Sequence, residues 1–149
     1  MDLSIGDLSA RTNVKVPTIR YYEQIGLVAA PPRSAGGQRR YGAAEVERLN
    51  FIRHARDLGF EIDAIRDLLA MSAEPQASCH EVDSIARAHL SAVTRRISQL
   101  EALRGELTRM IGECGHGRIC DCRIIEVLAD HGECATDHAG AHQPALATL

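Results

Sequence analysis

One long amphipathic stretch constrains this chain more than any other feature. From Val82, apolar residues recur at Ile85, Ala86, Leu90, Val93, Ile97, Leu100, Leu103, Leu107 and Met110. The steps are mostly three and four, with one irregularity where Ile97, Leu100 and Leu103 run three and three. Ser78 and Glu81 form an S-x-x-E capping box at its start, and Pro75 bars a helix from running in from upstream. Charged residues (Arg87, Arg95, Arg96, Arg104, Glu106) fill the other faces. The stretch is a helix with an apolar stripe, packed on its own domain or paired with a second copy. Pairing is favoured, because the rest of the chain offers little apolar surface to cover so long a stripe.

Two cysteines bracket the helix. Cys79 and Cys114 are thirty-five residues apart, which is five heptads, so both fall on one stripe of a coiled-coil helix. Within one chain they sit roughly 50 Å apart at 1.5 Å per residue. They can share a ligand only if an antiparallel second copy brings Cys79 of one chain to Cys114 of the other. The spacing therefore suggests a thiolate metal site built across a homodimer interface, with Cys122 close behind Cys114 in sequence. Cys79 follows its helix cap directly, where free N–H groups and the helix dipole favour a thiolate. A small buried apolar residue is the plainer reading of the same cysteine.

A chain of 149 residues allows one or two small domains. It has no long apolar run and no signal peptide, so a soluble cytoplasmic protein without membrane contact is expected. Five cysteines is an odd number, and a reducing compartment disfavours a disulfide framework, which leaves metal or redox chemistry. The net charge of −3 hides an asymmetry: from Arg11 to Arg56 nine Arg or Lys face three Glu, a local balance of +6. An anionic polymer would bind there, or the segment is a solvated basic face.

Local pattern favours the polymer. Ser4 to Ala10 reads as a short helix, Asn13-Val14 as a turn, and Thr18 to Ile25 as a second helix opened by Pro17 and stopped by Gly26. Two short helices on a tight turn are a helix-turn-helix, whose second helix enters the major groove. Ala29 to Gly37 is a Pro/Ala/Gly-rich loop, and Gln38-Arg39-Arg40-Tyr41 is a basic, aromatic tip suited to a wing. Ala43 to Leu58, stopped by Gly59, and Ile62 to Met71 are further helices.

Thr18-Ile19-Arg20-Tyr21-Tyr22-Glu23, Gly26-Leu27, Pro32, Arg33, Gly37, Arg39-Arg40-Tyr41 and Leu58-Gly59-Phe60, in this order and followed by the cysteines, resemble the MerR family of transcription regulators over residues 3 to about 128. The resemblance implies a mainly α fold. A winged helix-turn-helix with helical connector would occupy residues 1–75, an antiparallel coiled-coil dimerisation helix 76–113, and a metal-binding loop and short helix 114–130. Residues 131–149 would be a Cys/His-containing tail. It also implies a homodimer on double-stranded promoter DNA, which distorts that DNA on effector binding so that RNA polymerase can engage. By position, Lys15, Thr18, Arg20 and Tyr21 match the recognition helix and Arg33, Arg39, Arg40 and Tyr41 the wing. Arg53 and Arg56 are candidate phosphate contacts, Arg48 is read as a solvated charge, and Tyr22 fits core or contact equally. Glu61 replaces the small hydroxyl residue expected after Leu-Gly-Phe, which weakens the next helix cap.

The C-terminal third selects the effector. Thirty-five residues after Cys114 are too few for an organic-ligand domain, and Cys114-x5-Cys120-x-Cys122-x11-Cys134 does not match the family's iron–sulfur grouping. Cys114 to Cys122 resembles the family's metal loop, closed by the short helix beginning at Arg123, with Cys122 the better match than Cys120. A cysteine at 79, where the family's monovalent sensors carry serine, resembles the branch that senses divalent zinc, cadmium, lead or mercury. A third thiolate suits a 2+ ion. The expected ligands are Cys79, Cys114 and Cys122; Cys120, His116 and Cys134 are additional candidates. Cd2+, Zn2+ and Pb2+ lead among effectors, with Hg2+ also open. The expected function is metal-gated activation of metal resistance or efflux genes. A thiol-based redox regulator acting through Cys120 and Cys122 is the alternative. An enzyme is not expected, since His116 beside Cys114 in a glycine-rich loop is the nearest approach to a nucleophile and base.

Overall fold

The computed structural model describes residues 2–114, 117–118 and 122–130, so His116, Cys120 and Cys134 lie outside the described residues. Among the described residues the regular structure is helical: α1 (Ile5–Thr12), α2 (Val16–Gln24), α3 (Ala43–Asp57), α4 (Ile62–Ser72), α5 (His80–Gly112) and α6 (Arg123–Ala129). The chain divides after Val82 into two compact units.

In the first unit α1 packs on α2 and α3, and α4 packs on α3. Their inward positions build one core: Leu8, Ile19, Tyr22, Leu27, Leu49, Ile52, Ile65 and Leu69 are all buried. Local chemistry sets the boundaries. Ser4 caps α1 with a full capping box: its Oγ accepts from the Asp7 N–H, and the Asp7 carboxylate accepts from the Ser4 N–H. The Ser4 hydroxyl, which donates to Asp7 Oδ2 at 2.7 Å, and then the Ser4 N–H hold the Asp7 carboxyl below its usual pKa, and Arg11 adds to the effect. Asn13 takes the left-handed conformation (φ 54°) that turns the chain from α1 into α2.

Helices α2 and α3 end alike. After α2, the Gly26 N–H donates to Glu23 O and the Leu27 N–H to Tyr22 O; after α3, Gly59 donates to Arg56 O and Phe60 to Ala55 O. Both are Schellman endings, which need a left-handed residue, and the glycines supply it at φ 74° and 86°. Glu61, at the N-cap of α4, makes no side-chain cap bond, as its residue type led one to expect.

The wing is minimal. Two isolated antiparallel bridges, Leu3 with Tyr41 and Arg33 with Arg39, stand in place of strands among the described residues. Between them Ser34 to Gln38 turns on two backbone hydrogen bonds.

Helix α5 is a continuous 33-residue helix, about 50 Å long at 1.5 Å per residue. Ser78 Oγ accepts from the His80 N–H at 3.2 Å, so the cap closes on His80 and not on Glu81 as the S-x-x-E pattern suggested. Its apolar stripe faces outward: Leu90, Val93, Ile97, Leu100, Leu107 and Ile111 are 40–63% exposed. Met110 and the Glu106 side chain on α5 and Val127 on α6 are buried. No described helix is long and apolar enough to cross a membrane.

Candidate nucleic-acid interface and cysteine pair

The first unit presents a basic cleft between α2 and the wing. Arg20, Gln24, Arg33, Gln38 and Arg39 line it, with Glu23 and Tyr41 beside them, around a volume of about 710 Å3. Lys15, at the N-cap of α2, and Arg20 and Tyr21 on the helix are exposed, Tyr21 by 45%. Among the described residues Lys15, Arg20 and Arg33 make no ion pair, so their charge is available to a phosphate. Arg40 is exposed, 3.8 Å from Asp2.

Other predicted contacts occupy different positions. Thr18 is 7% exposed and Tyr41 1% exposed, so both sit in the core. Tyr22 is core as well. Tyr41 Oη donates to Glu23 Oε1 at 2.5 Å, and Arg39 Nη1 donates to Glu23 Oε2 at 2.5 Å. Burial, then the bond to Glu23 and its charge, push the Tyr41 phenol up to about 12.

The α3 arginines act as internal ties. Arg48 Nε donates to Leu27 O at 2.6 Å, so it is a half-buried strut and not the solvated charge expected from sequence. Arg53 Nη1 donates to Thr12 O and Arg56 Nη1 to Phe60 O. From α4, Arg66 Nη2 donates to Ile25 O at 2.9 Å and holds the end of the recognition helix. Guanidinium groups that satisfy carbonyls left open at helix ends stabilise those ends by charge as well as by hydrogen bonding. Sequence reasoning missed these ties, because nothing local marks which carbonyl a distant arginine meets.

The thiols are divided between the two units. Cys79 is exposed in the turn before α5. In the second unit Cys114 and Cys122 are half-buried free thiols, within reach of one another. Cys122 opens α6, where the N–H groups of Ile125 and Ile124 lie near its sulfur without meeting the geometry of a cap bond. Those amides, Ile125 foremost, and the Cys114 thiol hold the Cys122 pKa below that of an ordinary thiol. Ion pairs brace the two cysteines from outside. Arg123 Nε, beside Cys122, meets Glu113 Oε2, beside Cys114, at 2.8 Å. Arg109 pairs with Glu113 at 3.0 Å and with the buried Glu106. Two soft sulfur donors, one already biased to thiolate, suit a soft metal ion. Among the described residues no set of three His, Cys, Asp or Glu side chains converges.

Comparison with known proteins gives a consistent result. Residues 3–72 match the MerR HTH family regulatory protein model, and residues 46–110 match the MerR DNA-binding model. The chain is 38% identical over 134 residues to the HTH-type transcriptional regulator HmrR of Sinorhizobium medicae (strain WSM419), covering 89% of this chain and 90% of that protein. It is 37% identical over 128 residues to the HTH-type transcriptional regulator ZntR of Escherichia coli (strain K12), covering 83% and 90%. The crystal structure of the transcription regulator PbrR691 from Ralstonia metallidurans CH34 in complex with lead(II) superimposes with a TM-score of 0.74 at 34% identity, covering 85% of this chain and 98% of that one. With the helix-turn-helix, wing and long helix all in family order, the chain belongs to the MerR family of HTH regulatory proteins, which are DNA-binding regulators and not enzymes.

Proposed function

We propose that this protein is a divalent-metal-responsive activator that binds promoter DNA as a homodimer and switches on metal resistance or efflux genes. The observation that carries the metal reading is the Cys114–Cys122 pair, with the Cys122 thiol shifted toward thiolate and the loop ends braced by Arg123 and Glu113. Named relatives support the heavy-metal class, among them a heavy metal-dependent transcription regulator of Rhizobium meliloti (strain 1021). In this reading α5 pairs antiparallel with its copy through the exposed stripe. Cys79 of one subunit then joins Cys114 and Cys122 of the other, giving two sites per dimer. Cd2+, Zn2+ and Pb2+ fit a thiolate-rich site, and Hg2+ fits its trigonal form. The bound ion supplies a charge and a cross-link between subunits. The chain's own residues supply the aligned sulfurs and, through α5 and α4, a mechanical path to the DNA-binding units. DNA would be met by Lys15, Arg20 and Tyr21 on the recognition helix and by Arg33 and Arg40 on the wing. RNA polymerase and a cytoplasmic location belong to the same proposal.

The test mixes Cys79→Ser subunits with Cys114→Ser subunits and reads metal content by native mass spectrometry under reducing conditions. A shared site predicts one metal ion in the mixed dimer and none in either parent dimer. A metal-free mixed dimer from folded parents would sink the shared-site model. A wild-type dimer that carries no metal and changes mass only on oxidation would support the thiol-redox alternative instead. A promoter–reporter titration across metal ions then names the effector.

A further inference from the structure

The recognition helix carries one carboxylate at its face with the wing, and its surroundings are unusual for an interface that meets phosphate. Glu23 is 4% exposed at its side chain. Both of its oxygens are engaged: Oε2 accepts from Arg39 Nη1 and Oε1 from Tyr41 Oη, each at 2.5 Å. The two donors lie sixteen and eighteen residues further along the chain, on the rising side of the wing. Tyr41 is itself anchored, since its backbone exchanges two hydrogen bonds with Leu3 at 2.8 and 2.9 Å. The wing tip beyond is narrow and exposed, closed at its base by the Arg33–Arg39 bridge.

An anion here works against DNA binding by charge alone, because it lowers the positive potential of the cleft. Its geometry offers a compensating role. A carboxylate that takes two charge-assisted bonds from different points of the wing fixes that wing in direction as well as in distance. The bonds are shielded from solvent, where such contacts are stronger than at the surface. They also neutralise Arg39, whereas Arg33 in the same wing makes no ion pair among the described residues.

We propose that Glu23 is a positioning residue for DNA recognition: by holding Arg39 and Tyr41 it sets the wing against the recognition helix, and it withdraws Arg39 from the phosphate contacts. Arg33 and Arg40 then meet the backbone while Arg39 is a strut. The inference rests on the DNA-binding reading, which binding by the wild-type dimer tests independently.

The experiment compares wild type, Glu23→Gln, Tyr41→Phe, Arg39→Gln and Arg33→Gln. Each is titrated over a range of salt against a duplex selected from a random library by the wild-type dimer, and against an unselected duplex of equal length. Glu23→Gln removes a negative charge, so simple electrostatics requires tighter binding and a steeper salt dependence as Arg39 is released. Positioning requires the opposite on the selected duplex: binding weaker by roughly tenfold, with affinity for the unselected duplex unchanged or raised. Tyr41→Phe keeps the ring in the core and should weaken selected binding in the same sense. The salt slope separates strut from contact. Each phosphate contact contributes about 0.9 to the slope, so Arg33→Gln should lower it by roughly 1.8 per dimer and Arg39→Gln should leave it unchanged. A tighter Glu23→Gln complex, or an Arg39→Gln slope that falls like that of Arg33→Gln, would overturn the proposal. If Glu23→Gln does not fold, the Arg39→Gln and Arg33→Gln slopes decide alone.

Discussion

The exposed stripe on α5 allows a quantitative test of dimerisation. Ile97 and Leu100 are 51% and 46% exposed and stand one turn apart on the same face. Burying a Leu or Ile side chain completely is worth ~1.5–3 kcal/mol. About half of each side chain is already covered, so sealing the remainder is worth about 1 kcal/mol apiece. A symmetric dimer contains four such side chains, for a total of roughly 4 kcal/mol. The double substitution Ile97→Ala/Leu100→Ala keeps the Cβ atoms, which reduces the loss to about 3 kcal/mol, or roughly a hundredfold in dimer dissociation constant. Alanine is the best helix former, so α5 itself should not weaken. Any loss then belongs to the interface. Sedimentation velocity across a dilution series reads the dissociation constant, with circular dichroism confirming helix content. Dimerisation unchanged within a factor of three would refute the assignment of this face to the partner. A paired control on the opposite face, Arg95→Ala, should leave the constant unaltered.

Two other perturbations probe the separate units. Arg123→Ala removes the 2.8 Å bond that ties the residue beside Cys122 to the residue beside Cys114, and should weaken metal binding about tenfold in chelator competition while DNA binding is retained. Tyr41, with its phenol pushed up to about 12, keeps its proton where an unfolded tyrosine loses it. Its contribution to stability is therefore complete below pH 10 and is lost as pH rises from about 10 to 12. Denaturant unfolding should show that loss, and Tyr41→Phe should flatten it, leaving the smaller effect of the same sign from buried Tyr22.

What could be read in the sequence follows from the range of the interactions involved. Ser4 with Asp7, Gly26, Gly59 and the three-and-four spacing from Val82 to Met110 act within one or two helical turns, so residue order alone exposes them. The helix boundaries accordingly fall close to expectation: α3 runs Ala43–Asp57 where Ala43 to Leu58 was expected, and α2 begins two residues before Thr18. The cap on α5 moved from Glu81 to His80 because Ser78 can serve either amide and only the local backbone decides between them. By contrast, the ties that position the interface span long distances in sequence. Arg48 meets Leu27 O and Arg66 meets Ile25 O, partners twenty-one and forty-one positions apart in sequence. A basic residue in a DNA-binding unit has two competing uses, and composition weighs both toward phosphate.

Glu23 makes the same point in the opposite direction. In sequence it closes the Thr18 to Glu23 motif and is one of the three carboxylates already counted in the local balance of +6, with no partner indicated. In the fold it is the group on which Arg39 and Tyr41 converge. The distinction matters for function because a wing held by charge-assisted bonds loses little freedom when DNA binds, and preorganised contacts retain more of their interaction energy as affinity. The cysteine pair follows similar logic. Cys114 and Cys122 lie together, and the residues beside them, Glu113 and Arg123, are joined by an ion pair. In the proposed reading, an effector that binds these prepositioned sulfurs need spend less of its affinity on ordering them. In the proposed metal-gated dimer, more can then be expressed as a change in the relation between subunits, which is what the proposal requires to be transmitted to DNA.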